Sequence, residues 1–402
     1  MTDLAKKRIV LGVSGGIAAY KAAELARLMM KRGIEVQVVM TESATRFVSP
    51  LTFQALTGRP VFSDLWDNRL DNGMAHIDFT RDASAVVVAP ASADFLAKLA
   101  HGNADDLLST LCLARACPLM VAPAMNRQMW EHPATRRNVS QLKRDGVGIF
   151  GPGSGEQACG EEGMGRMLEP EELLFDIEGF FQPKRLSGRK VLVTAGPTFE
   201  VIDAVRGITN LSSGKMGYAV ARAALEAGAE VTLISGPSCL KPPASAKLIK
   251  VTSAQEMLGA VQEAVSEMDI FIGVAAVADY YVLNPSEHKI KKDAHILTLE
   301  LAPNPDILAN VVNLPKPPFC VGFAAESESL FEFAEMKRHR KNLPLLAGNL
   351  VQDAINNDIS ELTLFDDEGA HPLPRGPKIQ LARQLIAHMA KLYDLSTNPK
   401  NP

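Results

Sequence analysis

The chain opens on one plan twice. Residues 8–42 run RIVLGVSGGIAAYKAAELARLMMKRGIEVQVVMTE, and residues 189–236 run RKVLVTAGPTFEVIDAVRGITNLSSGKMGYAVARAALEAGAEVTLISG. Each passes from an apolar run of strand length into a glycine-containing turn, an Ala/Leu-rich helical pattern, a glycine, and a second apolar run ending on Thr or Ser. Two strands joined through one helix lie parallel, because a crossover of that length returns the chain to the sheet in the same direction. This beginning commits a chain to an open α/β sheet. Its occurrence in both halves of a 402-residue sequence predicts two domains of about 200 residues each. The stretch Gln182–Gly188 (QPKRLSG) is the favoured boundary, giving domains over 1–188 and 189–402.

The rest of the chain keeps the alternation. AVVVA at 85–89 and LMVA at 119–122 are short strands, and Asp94–Arg115 between them reads as helical. The glycine-rich stretch from Gly151 to Gly165 is a functional loop or a linker, and the acidic segment Pro170–Phe181 is one helix. In the second half, Ile270–Ala276 and Phe319–Ala324 read as strands. Residues 361–383 read as a hairpin leading into a helix around Gln380–Leu392. Helices alternating with short apolar strands predict parallel sheets covered on both faces, so the fold class is α/β with two Rossmann-like three-layer domains.

With 47% hydrophobic and 22% charged residues and a net charge of −4, the expectation is a soluble globular protein. No basic stripe interleaved with aromatics recommends nucleic acid. Cys112, Cys117, Cys159, Cys239 and Cys320 make no CxxC pair and no metal spacing, which suits a reducing compartment. Neither a signal peptide nor a membrane-spanning run is legible, so the cytoplasm is the expected location.

Ser14-Gly15-Gly16, after the first strand, is not GxGxxG. It is either a tight strand-to-helix turn or a set of bare amides that holds a phosphate at a helix N-terminus. Thr41 and Ser43 end the next strand, Pro90-Ala91-Ser92 the third, and Pro123-Ala124-Met125-Asn126 the fourth. Ligands of open α/β sheets gather at the carboxyl ends of strands, so four such ends with small or polar residues point to one crevice. Around it, Ser92, Ser109 and Thr110 are either hydroxyl ligands or helix caps. Asn126 is at least a cap, and His76 is either structural or an acid/base group. Cys159, set among glycines, is poorly suited to a core.

Taken together, Gly15-Gly-Ile-Ala-Ala-Tyr-Lys21, the PASADF segment at 90–95, Asp105-Asp-Leu-Leu-Ser-Thr110 and PAMNRQMW at 123–130 resemble the flavin-dependent cysteine decarboxylase family. Ala158-Cys-Gly-Glu-Glu-Gly-Met-Gly-Arg-Met167 resembles the mobile substrate-covering loop of its phosphopantothenoylcysteine decarboxylase branch. The resemblance implies FMN bound between protomers of a trimer, held by Ser14, Gly15, Gly16, Thr41, Ser43, Ala91, Ser92, Ser109 and Thr110. It implies His76 as an acid/base or positioning group, Asn126 gripping the substrate carboxylate beside Met125, and Cys159 protonating an enethiolate. Arg127 and Arg137 are candidates for a substrate phosphate. The chemistry fits those residue types, since direct loss of CO2 from an acyl-cysteine leaves an unstabilised carbanion and oxidation of the thiol supplies an electron sink.

In the second half, Ser212-Ser-Gly-Lys-Met-Gly217 puts small residues at the opening of a helix, where they suit phosphate, but Walker A spacing is absent. Lys337 and Lys341 lie four apart on one helical face, and both reach one triphosphate or form a solvated charged face. Ala195-Gly-Pro-Thr198, Asp203 through Gly217, Ala275-Ala-Val-Ala-Asp279, KIKK at 289–292, Asn304-Pro-Asp-Ile307 and Gly322-Phe-Ala-Ala-Glu326 resemble the phosphopantothenoylcysteine synthetases, CTP-using ligases that are usually fused to the decarboxylase in bacteria.

The resemblance implies joining of 4′-phosphopantothenate to L-cysteine through an acyl cytidylate, with Mg2+ carried on the triphosphate. Asn210 then orients the acyl group, and Lys289 stabilises the transition state. CTP and the acyl substrate meet Ser212, Gly214, Gly273, Val274, Ala275, Asp279, Pro305, Asp306, Ile307, Leu308, Phe323, Lys337 and Lys341. Asp279 is also the candidate to meet the metal. Phe199, Ala204 and Gly348-Asn349-Leu350 depart from the family's usual residues, which puts details of this pocket in question.

Two other classes compete with these. A dinucleotide oxidoreductase needs GxGxxG with an acidic residue about 20 positions on, and neither half has it. A non-catalytic flavoprotein acting as a regulatory subunit predicts loss of His76, Asn126 and Cys159, and all three are present. Dimeric second domains joined to trimeric first domains imply a homo-oligomer as large as a dodecamer.

Overall fold

The computed structural model describes residues 7–67, 75–156, 160–243, 245–292, 296–326, 328–350 and 357–397. The chain divides into two compact units, Met1–Phe181 and Gln182–Pro402.

The first unit is built on five parallel strands: β1 (Arg8–Val13), β2 (Glu35–Met40), β3 (Ala85–Ala91), β4 (Leu119–Pro123) and β5 (Gly148–Ile149). They lie in the order β2-β1-β3-β4-β5. Alternation of side chains dictates the layering. Ile9, Leu11 and Val13 face one core with helices Ala19–Lys31 and Pro170–Phe180. Val10, Val86 and Val88 face the other with helices Ala93–His101, Leu107–Ala114 and Pro133–Arg144. Each fully buried Val, Leu or Ile contributes about 1.5–3 kcal/mol. Both faces being apolar, the strands read as continuous hydrophobic runs.

The expectation of one helical stretch over Asp94–Arg115 is corrected to two helices. Gly102 takes a left-handed φ of 70° and ends the first, and Asp106 starts the second with a capping box to Ser109. Beyond β5, the glycine-rich stretch carries a hairpin, β6 (Gly153–Glu156) with β7 (Glu162–Arg166).

The second unit has an eight-stranded sheet. Its parallel strands are β8 (Lys190–Ala195), β11 (Glu230–Ser235), β12 (Lys247–Lys250), β13 (Ile270–Gly273), β16 (Phe319–Glu326) and β17 (Leu345–Leu350). Two antiparallel strands, β18 (Ile359–Asp366) and β19 (Gly369–Pro377), extend one edge. The order is β12-β11-β8-β13-β16-β17-β18-β19. Two short hairpins rise from it, β9 (Phe199–Val201) with β10 (Gly207–Thr209), and β14 (Tyr280–Val282) with β15 (Leu301–Pro303).

Helices Lys215–Glu226 and Lys378–Thr397 cover one face with Val191, Val193 and Ile272. Helices Ala254–Ala264 and Leu330–Arg340 cover the other with Leu192 and Phe271. The terminal hairpin and helix run over 359–377 and 378–397, and the strand expected over Ile270–Ala276 stops at Gly273. Among the described residues, no helix is long and apolar enough to cross a membrane.

Helix Lys215–Glu226 lies close against β8 because Gly217 has no side chain. A Cβ there would stand 2.5 Å from Ala195 Cβ and 3.0 Å from its Cα. Backbone cannot step aside as a flexible side-chain end can. Gly217→Ala is therefore expected to destabilise the second unit by about 1–3 kcal/mol, read as a lower urea midpoint with an unchanged slope.

Candidate functional site

Each sheet reverses its strand order once, at β1/β3 in the first unit and at β8/β13 in the second. Such switch points open a crevice beyond the strands' carboxyl ends.

In the first unit the crevice floor is tied by Ser14, which is buried. Its hydroxyl donates to Pro90 O at 2.8 Å and accepts from Ser92 N at 2.9 Å. A Cβ on Gly15 would lie 2.5 Å from Ser43 Oγ, whereas Gly16 faces open space. Thr41 Oγ1 and Ser43 Oγ are 3.0 Å apart. These residues, with Ala91 and Ser92 at the end of β3, therefore stand around one strand-to-helix turn, in which Gly15 is packed against Ser43 and Gly16 is open.

Ser92, Ser109 and Thr110 are engaged in helix starts. Ser92 accepts from Phe95 N at 3.1 Å, Ser109 shares a capping box with Asp106, and Thr110 donates to Asp106 O at 2.7 Å. Ser92 is thus a helix cap and Ser109 completes a capping box, whereas Thr110 bonds back to a carbonyl at the start of its own helix and caps nothing.

Asn126 is both a cap and an oriented amide. Its Oδ1 accepts from Met129 N at 3.2 Å, while its Nδ2 donates to Glu161 Oε2 at 2.8 Å. Glu161 also accepts from Gln128 Nε2 at 3.2 Å. Met125 N reaches Gly165 O at 3.0 Å, so the β6–β7 hairpin is fastened beside the end of β4. Glu161 was not singled out from the sequence, because its role arises only once the hairpin folds back. Arg127 pairs with Glu131 at 2.9 Å and runs beneath Gly163, where a Cβ would meet Arg127 Cδ at 2.5 Å. Arg137 instead lines a shallow depression with His101, Arg136 and Arg144. Cys159 lies outside the described residues. His76 belongs to helix Ala75–Arg81, with its side chain outside them.

In the second unit a cavity of ≈ 640 Å3 opens at β8/β13. It brings together Asn210, Ser212, Gly214, Gly273, Val274, Ala275, Asp279, Pro305, Asp306, Ile307, Leu308, Phe323, Lys337 and Lys341. The wall is stitched across the switch point, with Val274 N on Thr194 O at 3.2 Å and Ala275 N on Thr194 Oγ1 at 3.4 Å. Asn210 is fixed through Nδ2 to Ala276 O and through Oδ1 from Ser212 N at 3.1 Å. Gly214, with φ of 80°, caps helix Lys215–Glu226 without a side-chain hydrogen bond, leaving that helix's first amides to a ligand.

The cations converge from afar. Lys337 Nζ donates to Phe323 O at 2.8 Å, and burial, then the neighbouring Lys341, lowers its pKa from the ordinary lysine value. Lys341 pairs with Asp306, which also caps helix Ile307–Val312. Burial acts to raise the Asp306 carboxyl, and the Lys341 ammonium with the Ala309 amide outweighs it, leaving it lowered.

Lys378, Asn349 and Lys215 also line the cavity and were missed. Lys215 stands inside a motif read for its glycines. Asn349 stands in the Gly348-Asn349-Leu350 segment noted only for its departures, and Lys378 comes from a distant helix start with no local signal. Asn304 donates to Ala278 O at 2.9 Å, and its buried Oδ1 has no partner among the described residues.

Lys289 is exposed and does not line the cavity. Its loop is nevertheless anchored. Asp203, itself buried, accepts from Val205 N, Arg206 N and the Arg206 guanidinium, and from Ile290 N at 3.1 Å; Arg206 in turn donates to Ile290 O at 2.8 Å. The Arg206 guanidinium holds the Asp203 carboxyl well below the usual carboxylate range, against some burial, with the backbone amides adding to it.

Comparison with known proteins covers both halves. Residues 1–182 match the Flavoprotein family, and residues 186–393 match the DNA/pantothenate metabolism flavoprotein C-terminal domain. The chain is 48% identical over 398 residues to the coenzyme A biosynthesis bifunctional protein CoaBC of Vibrio vulnificus, covering 98% of this chain and 99% of the relative. It is 46% identical over 400 residues to that of Escherichia coli K12, covering 98% of each. Against that of Bacillus subtilis it is 42% identical over 397 residues, covering 97% of this chain and 98% of the relative. A crystal structure of the C-terminal domain of a CoaBC protein is 36% identical, covering 52% of this chain and 98% of that one, with a TM-score of 0.46. Two domain families in one chain, matched end to end with such relatives, identify the chain as an enzyme of the coenzyme A biosynthesis bifunctional protein family.

Proposed function

We propose that the chain catalyses two consecutive steps of coenzyme A biosynthesis. Residues 189–402 join L-cysteine to 4′-phosphopantothenate at the expense of CTP, releasing CMP and pyrophosphate. Residues 1–188 then decarboxylate the resulting 4′-phospho-N-pantothenoylcysteine to 4′-phosphopantetheine. The observation that carries this reading is the pair of switch-point crevices with unlike linings: hydroxyls and bare glycines in one, cations and an open helix N-terminus in the other.

The ligase must turn a poor electrophile into a good one, and the acyl cytidylate does so. Amides at the start of helix Lys215–Glu226 and the ammonium groups of Lys337 and Lys341 meet the phosphates. Asn304, Pro305, Asp306, Ile307 and Leu308 read the base by main-chain groups, with Phe323 against the ring. Asn210, held by both ends of its amide, keeps the acyl group in line for the cysteine amine. Lys289 comes from the Asp203-anchored loop to offset charge as the carbonyl is attacked. Since Asp306 is tied to Lys341, Asp279 is the cavity carboxylate that fits Mg2+ brought in on the triphosphate, where the ion neutralises phosphate charge.

In the decarboxylase, the Ser14–Gly16 turn with Thr41 and Ser43 fits the phosphate of FMN, and Ala91, Ser92, Ser109 and Thr110 flank the crevice. Bound there, FMN supplies the electron sink that makes loss of CO2 feasible. Asn126, aimed by Glu161, binds the substrate carboxylate beside Met125, His76 positions or relays a proton, and Cys159 protonates the enethiolate. Self-association through the first unit would cover exposed Ile17, Tyr20, Phe47 and Leu51 near the strand ends. Trimers of first units joined by dimers of second units would build a dodecamer, and the cytoplasm, where CTP is found, suits the reaction.

Supplying 4′-phosphopantothenate, cysteine, CTP and Mg2+ tests the scheme. Pyrophosphate and CO2 should both appear and should both depend on CTP; CO2 formed without CTP would sink the coupling. Replacing Cys159 by Ser should stall the decarboxylase after about one CO2 per site, with reduced flavin, while pyrophosphate continues. Lys289→Gln should do the opposite, with supplied 4′-phospho-N-pantothenoylcysteine still decarboxylated.

Asp203→Asn should free the Lys289 loop and lower ligase turnover on the order of a hundredfold, with little change in CTP affinity. Because the Asp203 pKa is depressed on folding, the anchor it forms is present at neutral pH and is lost only as pH falls through the folded-state value. The Asp203 anchor on the 286–290 loop should therefore survive acidification past the point where exposed carboxylates protonate, read as unchanged resistance of that loop to an acid-active protease, a feature the Asn variant lacks.

A further inference from the structure

The rim of the second unit away from its cavity carries a cluster that the ligase chemistry does not use. Asp366, the last residue of β18, is buried, and its Oδ1 lies 3.0 Å from His371 Nε2 on β19 while its Oδ2 lies 2.7 Å from His388 Nε2 on helix Lys378–Thr397. One ligand atom from each residue falls within 4.8 Å of the other two, and the imidazole rings tilt toward each other with centroids 4.9 Å apart. Register locates the group. Phe365 pairs with Leu346, near the start of β17, whereas Asn349 at the carboxyl end of β17 lines the cavity. Along the helix, Lys378 of the cavity and His388 are ten residues apart, a rise of about 15 Å.

We propose that Asp366, His371 and His388 form a binding site for one divalent transition-metal ion of the zinc type. Two imidazole nitrogens and one carboxylate converging on a point, with both histidines part-exposed, make the three-ligand set with a water-accessible fourth position that Zn2+ favours. Around a tetrahedral ion with bonds near 2.0–2.2 Å, ligand atoms stand about 3.3–3.6 Å apart. The imidazole–carboxylate spacings of 3.0 and 2.7 Å open by about 0.3–0.9 Å as the ion replaces the protons now shared between ring and carboxylate.

The surroundings are suitable. Burial acts to raise the Asp366 carboxyl, and hydrogen bonds from His371 and His388 outweigh it, so the ligand is kept ionised. Glu368 N donates to Oδ1 at 2.8 Å and fixes the carboxylate's orientation. The next acid, Asp367, is turned away to Arg338 at 2.7 Å and does not compete. Magnesium is a poor occupant, since it prefers oxygen ligands. The ion would cross-link the edge hairpin to the terminal helix, so its effect is on stability rather than on turnover.

The test uses the full chain stripped of metal and titrated with Co2+ in excess Mg2+. Expected is a saturable equimolar complex whose visible bands indicate nitrogen and oxygen ligation, together with a rise in Tm on adding Zn2+. His371→Gln and His388→Gln, each checked for native circular dichroism, should weaken binding by at least about tenfold and abolish the Tm shift. An arm without variants labels wild-type histidines with diethyl pyrocarbonate. Zn2+ should protect His371 and His388 while exposed His101 and His132 continue to react. Absence of saturable binding, thiolate-type bands, unprotected His371 and His388, or affinity unchanged in both variants would overturn the assignment.

Discussion

Where a parallel sheet reverses its strand order, two adjacent strands send the chain to opposite faces, and the backbone groups just beyond their ends have no crossover helix to cover them. Buried amides and carbonyls left so would cost about 1–3 kcal/mol each. Both units meet this constraint with a hydroxyl at the end of the first strand. Ser14 serves Pro90 O and Ser92 N across β1 and β3. Thr194 accepts from Val274 and Ala275 across β8 and β13, and Thr198 Oγ1 accepts from Ala278 N at 3.0 Å. These links satisfy the floor of each crevice, and Ser43 and Ser92 in the first unit and Asn210, Asp279 and Phe323 in the second stand close to them.

The route after that hydroxyl separates the two chemistries. In the first unit the chain turns through Gly15 and Gly16 almost directly into the helix that begins at Ala19. In the second unit nineteen or so residues intervene before the helix begins at Lys215, spanning the β9–β10 hairpin and the Asp203–Arg206 turn. That excursion is why no dinucleotide fingerprint is present: the glycine approach to a helix N-terminus is kept, but it is delayed. The added segment carries Asn210 to the cavity and anchors the 286–290 loop through Ile202, Asp203 and Arg206.

Strand runs such as VLVTA and VVVA were legible because burial on both faces leaves no polar alternation, and the paired openings made the sheet parallel. The helix break at Gly102 does carry a local signal, because His101-Gly-Asn-Ala-Asp-Asp106 interrupts the apolar pattern with a C-cap glycine and an N-cap aspartate. Site residues on one motif, from Ser212 to Gly214 or Pro305 to Leu308, were readable together. Lys378 and Asn349 were not, because the cavity collects them from strand and helix ends far along the chain. Two of the departures from family pattern, Phe199 and Gly348, are packing contacts, whereas Ala204 is exposed. Phe199 lies over Gly207, where a Cβ would stand 2.3 Å from its ring, and Gly348 is enclosed by Leu330 and Phe365 at 3.0 and 3.1 Å. Neither lines the cavity, whereas Asn349 beside Gly348 does.

The electrostatics of that cavity favour one sign of ligand. Lys337 and Lys378 both have pKa values lowered first by burial and then by a neighbouring lysine, Lys341 and Lys215 respectively. Each cation therefore stands in an environment that resists its charge, with Asp306 and Asp358 giving only partial relief through Lys341 and Lys215. A polyanion entering the cavity supplies further countercharge where water is already partly excluded, and there the attraction is stronger than at an open surface. By the same linkage, binding raises the lysine pKa values and stabilises the folded second unit. Desolvation that is unfavourable in the free protein thus becomes a source of affinity and of selectivity against neutral or singly charged ligands.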